Sequence, residues 1–215
     1  MLDTELRRHV LDELDFDPSL DARNIGVTVQ NAIVTLAGHV GSYAEKYNAE
    51  RATQRVKGVR GIVEEIAVRV PSSALTDDGK LAKRAADVIA WDASLPPDAV
   101  KVKVQNGWVT LSGTVDWQYQ RTACESAVRR LSGVVGVANL IAIKPHLSAV
   151  DVKASIDRAL QRSAEIESRN ITLNVSGGAV TLQGGVQSWH ERDAAQRAAW
   201  SVPGVTSVVN RLVVG

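Results

Sequence analysis

Few side chains in this sequence are placed to do chemistry. The four histidines, His9, His39, His146 and His190, are scattered, and no two share metal-ligand spacing with a third donor nearby. The single cysteine, Cys124, can form neither an intramolecular disulfide nor a cysteine-based metal cluster. It lies on an apolar stripe at helical spacing, which predicts a small buried hydrophobe rather than a reactive thiol. The acids of "VEEI" (63–66) and "TDD" (76–78) have no partner marked for paired acid–base work. No G-x-S-x-G, Walker-type or zinc-protease motif is present. The expectation is a protein that is not an enzyme and uses no cofactor and no metal.

Two segments, "GVRG" (58–61) and "GVVG" (133–136), spell G-x-x-G, the form of a loop that grips a nucleic-acid backbone between two helices. Here a strand pattern follows each, a third related segment reads "GVTS", and only Arg60 could meet a phosphate. With a net charge of +1, the expectation is no nucleic-acid partner. The aromatics are more informative. Trp117, Tyr119, Trp189 and Tyr43 gather just after the motif strand described below, and Trp91 falls late in a helical stretch where an earlier segment has Phe16. Tryptophan and tyrosine near element ends suit a membrane interface or a partner surface, because one edge is apolar and the other polar. We take Trp117, Tyr119, Trp189, Trp91 and Tyr43 as the candidate ligand- or membrane-binding residues. The alternative is that they cap small valine-rich cores or fill contacts between units.

The elements that position these residues come from a repeat. V-T-L-x-G-x-V occurs as "VTLAGHV" (34–40), "VTLSGTV" (109–115) and "VTLQGGV" (180–186), with Gly38, Gly113 and Gly184 standing 75 and 71 residues apart. So long a period implies small domains rather than solenoid layers. Upstream, Ile25/Val27/Val29, Val100/Val102/Val104 and Ile171/Leu173/Val175 alternate with polar residues, as in a half-buried strand. "QNA", "QNG" and "SGG" then supply hairpin turns. Downstream, Ala49/Ala52/Thr53/Val56, Cys124/Ala127/Val128/Leu131 and Ala195/Ala198/Ala199/Val202 follow helical spacing, leaving Arg51, Arg55, Arg129 and Arg197 for solvent. A closing strand follows each helix. Another amphipathic stretch opens each copy, at Leu6/Val10/Leu14, Leu81/Ala85/Ile89 and Val152/Ile156/Leu160, with Ser148 the expected N-cap for the third.

The predicted class is α+β: three tandem αββαβ two-layer units, each with two helices packed on one face of a three-stranded mixed sheet. Their bounds are 1–72, 76–145 and 147–215. Alternation puts Gly38, Gly113 and Gly184 on the apolar side of their strands. There a missing side chain would admit a helix backbone or let the strand kink. Gly58, Gly133 and Gly204, each followed by valine, suit the left-handed position just past a helix.

The motif, the alanine-bearing helix, the "GV" after it and the closing V-x-x-L pattern resemble the BON domain, the bacterial osmotically inducible and nodulation domain. The closing pattern is clearest in "GVTSVVNRLVV" (204–214) and "GVVGVANLIAI" (133–143). Copy one departs at Glu64, where the others have Asn139 and Asn210; an asparagine there is expected to cap or bridge backbone in the loop before the last strand, which Glu64 cannot do in the same way. The resemblance implies an αββαβ fold, no known catalysis, and an association with the bacterial envelope, osmotic stress and phospholipid binding.

No run approaches the roughly 18 apolar residues of a membrane span. The opening "MLDTELRRHVLDELD" has no secretory h-region, so the chain as written is expected in the cytoplasm, or in the periplasm if a leader was trimmed. The leading expectation is a non-catalytic binding protein whose partner is a phospholipid or membrane surface, or another envelope or osmotic-stress component. It would engage through aromatic insertion or a basic cluster such as Lys80, Lys83 and Arg84. The competing expectation is a scaffold with a protein partner, docking or forming a homo-oligomer through sheet faces and edges. Thr28, Lys101, Lys103, Thr110, Thr172, Asn174 and Thr181 mark those faces.

Overall fold

A computed structural model describes residues 2–71, 77–144, 152–163 and 170–215. Ser148 and His146, and most of the connections between copies, lie outside the described residues. The element order in the first copy is α1 (Asp3–Phe16), β1 (Ile25–Gln30), β2 (Ile33–Val40), α2 (Tyr43–Arg55) and β3 (Gly61–Val68). The second runs α3 (Asp78–Ala90), β4 (Val100–Gln105), β5 (Trp108–Val115), α4 (Gln118–Arg129) and β6 (Gly136–Ile143). The third runs α5 (Val152–Arg162), β7 (Ile171–Ser176), β8 (Ala179–Val186), α6 (Trp189–Trp200) and β9 (Ser207–Val214).

Each copy therefore carries one three-stranded sheet, with the motif strand in the centre. In the first, β1 pairs antiparallel and β3 parallel to β2, and the third copy repeats this with β7, β8 and β9. The chain divides into two compact units. One holds residues 1–115 and 119–142, hence copies one and two, and the other holds 116–118 and 143–215.

The cores follow the two periodicities. In copy one, Leu6, Val10 and Leu14 of α1 and Ala49 and Ala52 of α2 close over Val27, Val34, Leu36 and Ile66, all essentially inaccessible. Each large aliphatic contributes roughly 1.5–3 kcal/mol by leaving water. Alanine on α2 lets that helix sit close to the sheet, and Thr53, buried beside it, returns its hydroxyl to the Ala49 carbonyl at 2.9 Å. On the opposite face of the sheets Ile33, Val63, Leu140, Val209 and Val213 are exposed.

In the first two copies the hairpin turn is held from two sides. Asn31 (φ 53°) and Ala32 (φ 61°) form a left-handed two-residue turn, as type I′ geometry requires. The Asp3 carboxylate accepts both their amides, at 2.8 and 3.0 Å, while the Arg60 amide donates to the Ala32 carbonyl at 2.9 Å. Copy two repeats the arrangement with Asp78 on Asn106 and Gly107, and Val135 N–H on the Gly107 carbonyl. The G-x-x-G segments thus serve the hairpin.

Both glycine positions differ in detail from expectation. Gly38, Gly113 and Gly184 have φ of 126°, 138° and 128°, so the strand does kink. What a side chain would strike is the carbonyl of Asn24, Ala99 or Asn170, where the chain enters the preceding strand, and not a helix backbone. Gly58, Gly133 and Gly204 have positive φ but lie beyond the helix end. Each is the third residue of a turn closed by a bond such as Val59 N–H to the Val56 carbonyl.

Candidate functional site

The position of Glu64, Asn139 and Asn210 lies inside the closing strand, on its helix-facing side, rather than in the loop before it. Asn139 Oδ1 accepts the Ile141 amide, and its Nδ2 donates to the Arg121 carbonyl and to Glu125. Asn210 does the same with Leu212, Arg192 and Gln196. Glu64 keeps the shared half of this role by accepting the Ile66 amide at 2.6 Å. Lys46, which stands where the other copies have Arg121 and Arg192, supplies the rest. Its ammonium meets Glu64 at 2.7 Å and the Ile66 carbonyl at 2.8 Å. This is a helix-to-strand clasp with two chemistries.

Tyr43 is not free for a ligand. It is half-buried between copies one and two, its hydroxyl hydrogen-bonded to the backbone of Val137, and burial raises its pKa, with the nearby Glu125 adding to the effect. One turn on, Tyr47 stacks against Arg129, whose guanidinium carbon lies 3.5 Å from the ring centroid. Arg129, expected to face solvent, is mostly buried here. It was missed because an arginine on the polar side of one helix gives no sign of a neighbouring copy.

Trp117 and Trp189 are half-buried, and the Arg192 guanidinium lies 5.2 Å from the Trp189 ring centroid. Tyr119 and Trp91 are exposed, Trp91 to 89%. The Gln120 side chain, itself buried, donates to the Ser94 carbonyl at 2.6 Å, tying the start of α4 to the loop that follows Trp91. Trp91 and Tyr119 therefore flank one structured loop at one end of the second copy.

Trp91 caps α3, whose exposed side carries Lys80, Lys83 and Arg84. Lys83 pairs with Asp87 at 2.8 Å and Arg84 reaches the Ser132 carbonyl at 3.3 Å. Asp78, the other acid of this helix, is occupied by the hairpin turn. The corresponding helix α1 has Glu5, Asp12, Glu13 and Asp15 against Arg7 and Arg8, and ends in an exposed Phe16. The two helices thus present opposite charge beside an exposed aromatic.

The outer sheet faces carry exposed apolar side chains as well: Ile33 and Val63, Trp108 and Leu140, Val209 and Val213. Trp108 was passed over because it opens a strand. Strand alternation puts it beside Thr110 and Ser112 on the outer face. There it lines an open cleft of about 360 Å³ with Lys103, Gln105 and Val135.

Cys124 is buried, and burial pushes its thiol up to about 11. Among the described residues, no group of three histidine, cysteine or acidic side chains could hold a metal ion, and no helix is long and apolar enough to cross a membrane.

Three repeated αββαβ units, each with its own three-stranded sheet, define a modular α+β repeat protein. The chain belongs to the BON domain family, which it matches over residues 2–70, 77–145 and 148–215. It is 30% identical over 131 residues to "Osmotically-inducible protein Y" of Escherichia coli, covering 56% of this chain and 62% of that protein. It is 33% identical over 119 residues to an uncharacterized protein of Anaplasma centrale, covering 52% of this chain and 79% of that one. The chain thus spans less than two thirds of the first relative's length. Among solved structures, the C-terminal domain of CdsD, a structural protein of the type III secretion system of Chlamydia trachomatis, aligns over 100% of both chains. Its identity is 13% and its TM-score 0.28, too low to carry an argument.

Proposed function

We propose that the chain is a non-catalytic binding protein whose second copy engages an anionic phospholipid surface through the exposed side of α3. The observation that supports this is Trp91, 89% exposed at the end of a helix carrying Lys80, Lys83 and Arg84, with exposed Tyr119 across the same loop. An indole at that position enters the headgroup region, and each basic residue near an anionic surface adds about 1 kcal/mol. Because the chain's net charge is only +1, the contact is weak and salt-sensitive. The relative's name speaks of osmotic induction, and we extend an osmotic-stress role in the bacterial envelope to this chain as part of the same proposal.

Vesicle co-sedimentation tests it, with neutral phosphatidylcholine and with a mixture containing phosphatidylglycerol. Binding to the anionic vesicles alone, lost in Trp91→Ala and in Lys80→Glu/Arg84→Glu, is the expected result. Absence of binding to either vesicle overturns it. The exposed apolar pairs on the sheet faces favour a second reading, a self-associating or protein-binding scaffold. A mass that rises with concentration in sedimentation, with no vesicle binding, selects that one.

A further inference from the structure

The outer edges of the sheets are not equally protected. In copy one, Arg7 of α1 donates from Nε to the Val27 carbonyl at 2.8 Å. This carbonyl points away from the sheet. The two-residue turn makes Gln30 and Ile33 a hydrogen-bonded pair, so Val29, Val27 and Ile25 turn their backbone groups outward. Copy two has the same register, with Gln105 opposite Trp108, so Val104, Val102 and Val100 turn outward there.

The protection is gone in copy two. Ala82 stands where copy one has Arg7, and Ala86 where it has Leu11. Among the described residues, no side chain donates to the Val102 carbonyl. Val100 and Val102 are half-buried where Ile25 and Val27 are buried, because two alanines cover less of the strand than an arginine and a leucine. β4 is thus an edge strand with a row of donors and acceptors facing outward.

Charge decides what can pair with it. Lys101 and Lys103 are exposed on the outer face of β4, and that face of the sheet carries no acidic residue. A second β4 laid antiparallel would bring lysine against lysine, which is unfavourable in a cross-strand pair. Lysines on an edge discourage indiscriminate pairing; toward an acidic strand the same charges select. We propose that the β4 edge receives an extended acidic segment of a partner protein. The segment adds as a fourth strand, with its Asp or Glu side chains beside Lys101 and Lys103. This sheet edge borders α3 but is distinct from the exposed Lys80, Lys83 and Arg84 side of that helix, and the proposal does not rest on the lipid reading.

The test uses the full chain and two soluble, fluorescein-labelled peptides, one built on Val-Glu-Val-Glu-Val and one on Val-Lys-Val-Lys-Val. Fluorescence anisotropy at low salt is expected to show saturable binding of the acidic peptide, about tenfold or more tighter than the basic one. Amide exchange at Val102 and Val104 should slow when it binds. Ala82→Arg, which installs the copy-one arginine, should weaken binding at least about tenfold. Lys101→Glu/Lys103→Glu, at exposed positions, should reverse the preference, and it carries the test if Ala82→Arg does not fold. Failure of the acidic peptide to bind overturns the proposal. So does equal binding of both peptides, or unchanged preference in the lysine variant.

Discussion

The guanidinium of Arg129 and the ring of Tyr47 meet face on at 3.5 Å, one residue from each of the first two copies. With the Arg129 side chain only 13% exposed, the pair is largely desolvated, where such contacts are worth about 2 kcal/mol. Arg129→Ala should lower the urea midpoint by an amount equivalent to about 1–2 kcal/mol. Arg130→Ala, at the exposed neighbouring position, should change little. Equal effects would mean that the stacking joins nothing.

Gly184 and Gly185 are adjacent in β8 but differ in role. Gly184 has φ 128° and faces the Asn170 carbonyl, whereas a Cβ on Gly185 meets nothing within 4 Å. Gly184→Ala should cost more than about 2 kcal/mol, with Gly185→Ala near neutral. Thermal denaturation of the two variants decides the matter, and similar melting temperatures would refute the kink.

Ala32 sits at φ 61°, where copies two and three have Gly107 and Gly178. A left-handed alanine costs roughly 1–2 kcal/mol. Ala32→Gly loses a half-buried methyl and gains unfolded-state entropy, so the net expectation is a modest stabilisation of about 0.5 kcal/mol. A lower melting temperature would contradict it.

Cys124 should resist thiol reagents in the native state near neutral pH and react fully on unfolding, followed by absorbance with an aromatic disulfide reagent. Its folded pKa is raised, by burial above all, from 9.0 to about 11. The native state therefore keeps the proton after the unfolded chain has lost it. The thiol's contribution is intact below about pH 9 and disappears as pH rises toward 11. Cys124→Ala should flatten the loss of stability across that window, and an identical slope would remove the thiol as its cause.

The fold was legible because its signals are local. Alternation at Ile25, Val27 and Val29, helical spacing at Ala49, Ala52 and Thr53, and a motif written three times locate the elements without knowledge of their neighbours. Contacts between copies were not legible. Tyr43 and Trp91 both read as aromatics near element ends, yet one is half-buried beside Val137 and the other is almost fully exposed. Only the arrangement of copies separates them. Glu64 misled for a related reason: its substitution is compensated by Lys46, 18 residues away in sequence and next to it in space.

That clasp bears on how the chain is made. Each sheet is completed by its own last strand, which emerges from the ribosome after the helix and hairpin it must join. Three similar copies in one nascent chain offer three similar grooves, and misassembly between repeats is the characteristic error of such proteins. β3 brings a carboxylate to Lys46, while β6 and β9 bring an amide to the backbone of Arg121 and Arg192. A β6 misplaced on β2 would leave Lys46 without its carboxylate. The preference is only about 1 kcal/mol, but it acts while the chain is choosing, when the hydrophobic pattern of the three strands cannot tell them apart. Glu64 is an address label for the first groove.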